Sequence, residues 1–227
     1  MKTSSPHYLP FAKPFLFVLL LIVVFIIVLI QVKLIGYAYE KVGINQHYVF
    51  ALLLLSLFGS YVNIPIAELP AKRIISNQEV TFYGVRYVIP RVQEWQKTVI
   101  AINLGGAVIP ALLSFYLLIK NGIYLQAFIG VIIVAIFVRW KSKPIPGLGI
   151  ATPIFIPPLA AVIVALLLSE SSAPALAYIA GSLGTLIGAD LLNLDKIQEL
   201  DAPVASIGGA GTFDGIFLTG ILAVLLA

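Results

Sequence analysis

The sequence of 227 residues contains no cysteine and only two histidines, His7 and His47. Without thiols, disulfides, iron–sulfur clusters and thiolate metal sites are excluded. His7 falls outside the apolar runs and His47 only at the edge of one, so a histidine-built metal or haem centre is not expected, nor is any other cofactor. Charge is scarce as well. Asp, Glu, Lys and Arg make up 11% of the chain, against about 25% in soluble domains. No stretch interleaves aromatic and basic side chains in the manner of single-strand binders, so nucleic acid is not an expected partner. The net charge of +4 reports membrane orientation instead.

What is present is hydrocarbon. Hydrophobic residues make up 60% of the chain and the mean hydropathy is +1.05. Apolar runs of about 17 residues or more require a bilayer. The runs are continuous rather than alternating, which selects helices over barrel strands. The expected fold is therefore an all-α polytopic membrane protein, one integral domain over 1–227, with about seven transmembrane helices. The spans fall at about 15–32, 47–69, 98–119, 122–138, 149–168, 173–194 and 203–227. The first is too long for a secretory signal core and no small-x-small cleavage site follows it, so it reads as an uncleaved span. The one sizeable polar loop, 70–97, alternates from Glu79 to Pro90 about Gly84, which predicts a small β-hairpin between spans two and three. Trp95 suits the headgroup level.

Eleven of the 14 Lys and Arg residues fall on the side of the N-terminal tail and the 2–3, 4–5 and 6–7 connections. Lys33, Lys41 and Lys120 fall on the other. The positive-inside rule then puts the N-terminus in the cytoplasm and the C-terminus outside; the expected location is the plasma membrane.

Two carboxylates stand inside apolar runs, Asp190 in span six and Asp214 in span seven. A carboxylate in hydrocarbon costs at least roughly 2.5–3.5 kcal/mol, so each marks a functional site. With this orientation the other costly residues gather in the cytoplasmic half. Asn63 and Glu68 end span two, and Asn103, Gly105 and Gly106 begin span three. Thr152 and Pro153 begin span five, Gly188 precedes Asp190, and Gly208, Gly209, Gly211, Thr212 and Gly215 surround Asp214. Together they predict a water-filled cavity open to the cytoplasm. The Gly181-x-x-Gly184-x-x-x-Gly188 row lets span six approach a neighbour closely. Two carboxylates brought together share a proton, because both cannot ionise easily. Such a catalytic pair activates water as general base and protonates a leaving amide as general acid.

The stretch Gly211-Thr-Phe-Asp214-Gly resembles a degenerate form of the Gly-x-Gly-Asp motif of intramembrane aspartyl proteases, the presenilin and signal-peptide-peptidase group, with Phe213 in place of the second glycine. The resemblance implies a motif aspartate on span seven, its partner on span six, and a membrane peptide as substrate. Asn63-Ile-Pro65, Asn103-Leu-Gly-Gly106, Ile187-Gly-Ala-Asp190 and Ala202 to Gly215 together resemble a prokaryotic family of multi-pass membrane proteins known only as a domain of unknown function. Three readings stay open. The chain is an aspartyl-dyad hydrolase acting on membrane peptides, a transporter or channel passing protons or a small cation over the same aspartates, or a non-catalytic membrane scaffold. The lipid bilayer is the expected partner in all three, and the oligomeric state is left open.

Overall fold

The two ends of the helical bundle are unlike. In the computed structural model, which describes residues 13–70, 79–82, 85–88, 97–145, 149–199, 202–209 and 215–227, successive helices turn back on one another. At one end the connections are short: residues 42–45, 122–123 and 169–172. At the other end lie all the described strands.

Helix α1 spans Lys13–Lys41 and α2 spans Gln46–Gly59. Strand β1 is Asn63–Pro70, and β4 is Lys97–Asn103. A π-helical turn, Leu104–Val108, leads into α3 at Ile109–Asn121. Helix α4 is Tyr124–Lys141. Strands β5 (Lys143–Ile145) and β6 (Gly149–Ala151) precede α5, Ile156–Leu168. Helix α6, Ala173–Thr185, continues through a second π-helical turn, Leu186–Asp190, and a 3-10 segment, Leu191–Glu199. Strand β7 (Val204–Ile207) precedes α7, Gly215–Leu226.

The hairpin expected in the polar loop is there: β2 (Glu79–Phe82) pairs antiparallel with β3 (Val85–Val88). Tyr83, Gly84 and Trp95 lie outside the described residues.

Among the described residues, four helices are long and apolar enough to cross a membrane: Leu20–Lys41, Leu104–Asn121, Tyr124–Lys141 and Ala173–Ile197. Helices α2, α5 and α7 are shorter apolar helices. The expected spans over 47–69, 98–119, 149–168 and 203–227 are therefore not helical throughout. Each gives up its stretch at the strand-bearing end. Span two stops at Gly59, and Asn63–Pro70 runs as an edge strand, the place in a sheet where Pro65 can go without its missing N–H being felt. Span three opens on Thr-Val-Ile-Ala-Ile, a β-branched run that suits a pleat better than a helix. The first span errs the other way, since α1 carries on through the expected connection to Lys41.

The main sheet has the order β1–β4–β7, with β4 antiparallel to β1 and parallel to β7. Asn63 stands opposite Asn103, and Ser206 opposite Ala101. Lys97 donates to Glu68 Oε2 at 2.7 Å across β1 and β4.

Helix α6 is the axis of the bundle and packs against α3, α4, α5 and α7. It can do so because its faces are small. Ala173, Ala175, Ala177, Ala180, Gly181 and Gly184 are all buried. A Cβ on Gly184 would come within 2.7 Å of the Val134 side chain, and one on Gly188 would run into the Ala135 carbonyl oxygen. The glycine row thus seats α6 on α4. In a bilayer, where lipid is as apolar as leucine, such close backbone approach is a main source of helix association. Helix α1 is the opposite case. Residues 20–34 are exposed on every face, and it touches the bundle through Ala38, Tyr39 and α7.

Gly188→Ala should therefore force α4 and α6 apart and lower stability by about 1–3 kcal/mol, the usual cost of overpacking. Gly36→Ala places its methyl 3.8 Å from Val49 and should cause no loss. Unfolding of the two variants in mixed detergent micelles checks the contrast.

Candidate functional site

Where α6 ends, its backbone widens. The π-helical turn at Leu186–Asp190 shifts the hydrogen-bond pattern from i→i−4 to i→i−5, which leaves carbonyl groups needing partners. Asn193, fully buried, supplies them: its Nδ2 donates to Gly188 O at 3.1 Å and to Ala189 O at 2.8 Å. The turn also carries Asp190 to the edge of a cavity of about 400 Å³. Asp190 is half-buried, and its Oδ2 accepts the Gly208 backbone N–H at 2.7 Å.

The cavity lies among the π-helical turn, β6, β7 and the start of α7. Its walls are mostly apolar, with Ile150, Leu194, Ile197 and Ile216 among them. Its polar lining comes from Asp190, Thr152, Thr185 and Ser206. Thr152 Oγ1 is tied to Ser142 Oγ at 2.7 Å. Gly149, Gly209 and Gly215 contribute no side chains, so a ligand can meet backbone there.

The Gly208 N–H is aimed at Asp190 by its own conformation and by its neighbours. Gly208 and Gly209 have φ of +88° and +87°, a region that side chains disfavour. A Cβ on Gly208 would also lie 2.6 Å from the Ala107 backbone nitrogen. The end of β7 therefore sits on the first π-helical turn with no room for a side chain.

That first turn is held by an amide hub. Asn103 is 1% exposed. Its Oδ1 accepts the Gly106 N–H at 2.8 Å and so caps the turn. Its Nδ2 donates to Ser60 O at 2.7 Å and to Asn63 Oδ1 at 3.0 Å. Asn63 Oδ1 accepts in addition from Ser206 Oγ at 2.5 Å. The Asn103 and Asn63 side chains thus tie the end of α2, the three strands of the main sheet and the π-helical turn together. Gly105 completes the joint, because a Cβ there would strike the Ser56 and Gly59 backbone.

The residues singled out from sequence divide into three groups. Asp190, Thr152, Gly209 and Gly215 line the one cavity described above. Asn63, Asn103, Gly105 and Gly106 form the joint behind its β7 wall. Gly188 faces α4, and Pro153 is half-buried beside Thr152. Glu68 is exposed on β1 and paired with Lys97, away from the cavity. Gly211, Thr212 and Asp214 lie outside the described residues, and so does the separation of the two aspartates. Sequence reasoning missed Thr185, Asn193 and Ser206; Gly208 it placed among the glycines around Asp214. Among the described residues no group of three His, Cys, Asp or Glu side chains comes together to hold a metal ion.

Asn103→Ala should strand the Gly106 N–H and the Ser60 carbonyl in a buried joint. Each orphaned group costs about 1–3 kcal/mol, so the loss should exceed that of Asn63→Ala, whose residue is exposed. Thermal unfolding of both variants gives the ranking. The Lys97 ammonium hydrogen-bonded to Glu68 holds that carboxyl below the ordinary glutamate range. The pair's contribution is present above the ordinary glutamate pKa and is lost as pH falls through the lowered value. Both groups are exposed, so the effect is small and screened by salt. Titration of Glu68 by NMR should move up towards the ordinary range in Lys97→Met.

No match is found among curated proteins or among solved structures. Residues 57–226 match the family described as protein of unknown function DUF1614. That stretch takes in the amide hub, both π-helical turns, the cavity and most of the bundle, leaving out α1 and all but the last residues of α2. The chain belongs to the DUF1614 family.

Proposed function

We propose that all seven helices cross the bilayer, with the strand-bearing end in the cytoplasm. Helices α2, α5 and α7 have 14, 13 and 12 residues, about 18–21 Å at 1.5 Å per residue. Their neighbouring strands complete the crossing, and backbone of that kind is tolerated at membrane depth where protein or water covers it. The strand-bearing end carries Lys97, Arg139, Lys141, Lys143 and Lys196, which agrees with a cytoplasmic face.

On this reading the protein is an aspartyl-dyad hydrolase acting on membrane peptides, with Asp190 and Asp214 as the pair. The observation that carries it is that Asp190 and Gly215, the residue bonded to Asp214, line the same cavity. The Gly208 N–H also tethers Asp190 to the segment that leads to Asp214. One carboxylate takes a proton from water, whose oxygen attacks the amide carbon. The other, protonated, gives its proton to the departing nitrogen. The C–N bond breaks and the acid and amine separate, with the dyad returned to its single shared proton. The apolar walls suit an apolar peptide segment and keep bulk water from competing.

A second reading, transport over the same aspartates, is favoured by the buried hydroxyls of Thr185 and Ser182, which continue from the cavity into the bundle. The carbonyls of Gly188 and Ala189 already accept from Asn193, so they are poor ligands for a metal cation. A proton is the better-suited species.

Asp190→Asn and Asp214→Asn should each abolish cleavage of a membrane-peptide substrate, by at least a thousandfold, while leaving the detergent unfolding midpoint near that of the unaltered chain. The assay is peptide release from proteoliposomes. Cleavage retained in either folded variant removes the dyad mechanism.

A further inference from the structure

Hydroxyl groups in apolar helices usually donate to the carbonyl four residues earlier. Ser114 does so to Pro110 O at 2.8 Å and Thr219 to Gly215 O at 2.5 Å. Two buried hydroxyls on α6 do not. Ser182 is 0% and Thr185 3% exposed. Ser182 is directed to the Tyr178 hydroxyl instead, and Thr185 Oγ1 has no partner among the described residues. A buried hydroxyl that is not fully bonded is costly, so two in succession on one helix call for a reason.

They stand in a row. Tyr178, Ser182 and Thr185 are four and three residues apart, which puts them on one face of α6. The π-helical turn, with its i→i+5 repeat, brings Asp190 round about one turn beyond Thr185. Thr185 and Asp190 both line the cavity. At the other end of the row Tyr178 is 2% and Tyr39 of α1 1% exposed, and both belong to the same buried cluster of the bundle. Tyr39 lies just before the connection 42–45, at the end of the bundle opposite the sheet. The facing helix leaves this row its space: a Cβ on Gly220 of α7 would strike Ser182 Oγ and lie 2.9 Å from the Tyr178 ring.

We infer that Tyr39, Tyr178, Ser182 and Thr185 form a proton relay that joins the Asp190 cavity to the opposite end of the bundle. Intramembrane acids commonly mark such paths. Each hydroxyl oxygen accepts a proton on a lone pair from one side and releases its own to the other, with water able to take part between steps. No bond to carbon changes. One proton leaves the Asp190 carboxyl and one appears at the far end, or the reverse, as the gradient directs. The relay goes beyond the hydrolase reading and does not depend on it.

The full chain reconstituted in phosphatidylcholine–phosphatidylglycerol vesicles tests this, with a pH-sensitive dye trapped inside and a potassium diffusion potential imposed with valinomycin. The unaltered chain should acidify or alkalise the lumen at least tenfold faster than protein-free vesicles. Tyr178→Phe, Ser182→Ala and Thr185→Val should each slow this at least tenfold, and Asp190→Asn should return it to background. Ser114→Ala, off the row and already bonded, should leave the rate unchanged. The three row variants remove only a hydroxyl or replace it with a methyl, and detergent unfolding shows which of them remain folded. A rate for the unaltered chain no faster than empty vesicles overturns the relay. So does a full rate in folded Tyr178→Phe or Ser182→Ala. Proton flux without peptide cleavage keeps the relay and removes the hydrolase reading, whereas cleavage without flux does the converse.

Discussion

Backbone polar groups have no water to turn to in hydrocarbon, and that constraint organises this molecule. A continuous helix meets it internally. This chain interrupts its helices repeatedly, and several side-chain hydrogen bonds at the strand-bearing end repair an interruption. Asn103 Oδ1 takes the Gly106 N–H where α3 begins. Its Nδ2 takes the Ser60 carbonyl where α2 has just ended. Asn193 covers two carbonyls released by the π-helical turn of α6. Asp190 takes the Gly208 N–H where β7 stops. Strand β4, central in its sheet, satisfies β1 on one side and β7 on the other. Asp190 is the titratable member of this set, and the one that lines a cavity.

The interruptions are confined to one end because α6 occupies the middle. Its glycines and alanines bring α4, α5 and α7 within backbone distance, which leaves no room for irregular structure along its length. Only past Thr185, where the helix widens, do the neighbours separate enough for a cavity. The widening and the cavity are therefore one event. The residue that ends the widened turn sits at the cavity edge, and here it is an aspartate. Helix α1, exposed along residues 20–34, shows the reverse. It needs nothing from the bundle beyond its last turns, and the DUF1614 match begins after it.

Much of this was legible in the residues. Composition alone required apolar helices. The Gly181, Gly184 and Gly188 spacing announced the close seam, and the alternation about Gly84 announced a hairpin. The strands at the helix starts were not legible, for a physical reason. Val62 to Ile66, Thr98 to Ile102 and Val204 to Ile207 are apolar and β-branched. Hydropathy counts such residues towards a span whether they are helical or extended, because burial rewards both conformations alike. Only the flanking Pro and Gly residues separate the two, and these also occur in kinked membrane helices. Ser206 and Thr185 were missed for a related reason. A single hydroxyl in an apolar run carries no period, and its role emerges only once neighbouring elements fix what it faces.

The placement of Glu68 makes the same point from the other direction. By position it stood with the costly intramembrane residues, since it closes an apolar run. The turn at Ser60 changes what that position means. Once the chain leaves the helix and runs as an edge strand, each residue advances about 3.3 Å instead of 1.5 Å. Glu68 is thereby carried well past the helix end to an exposed site, where Lys97 can meet it. Asp190 gains no such escape. Its segment stays helical through Glu199, so it remains at the depth where its helix ends. Two carboxylates that look alike in a hydropathy trace are thus separated by backbone geometry alone. One becomes a surface ion pair, and the other stays half-buried at the edge of a cavity.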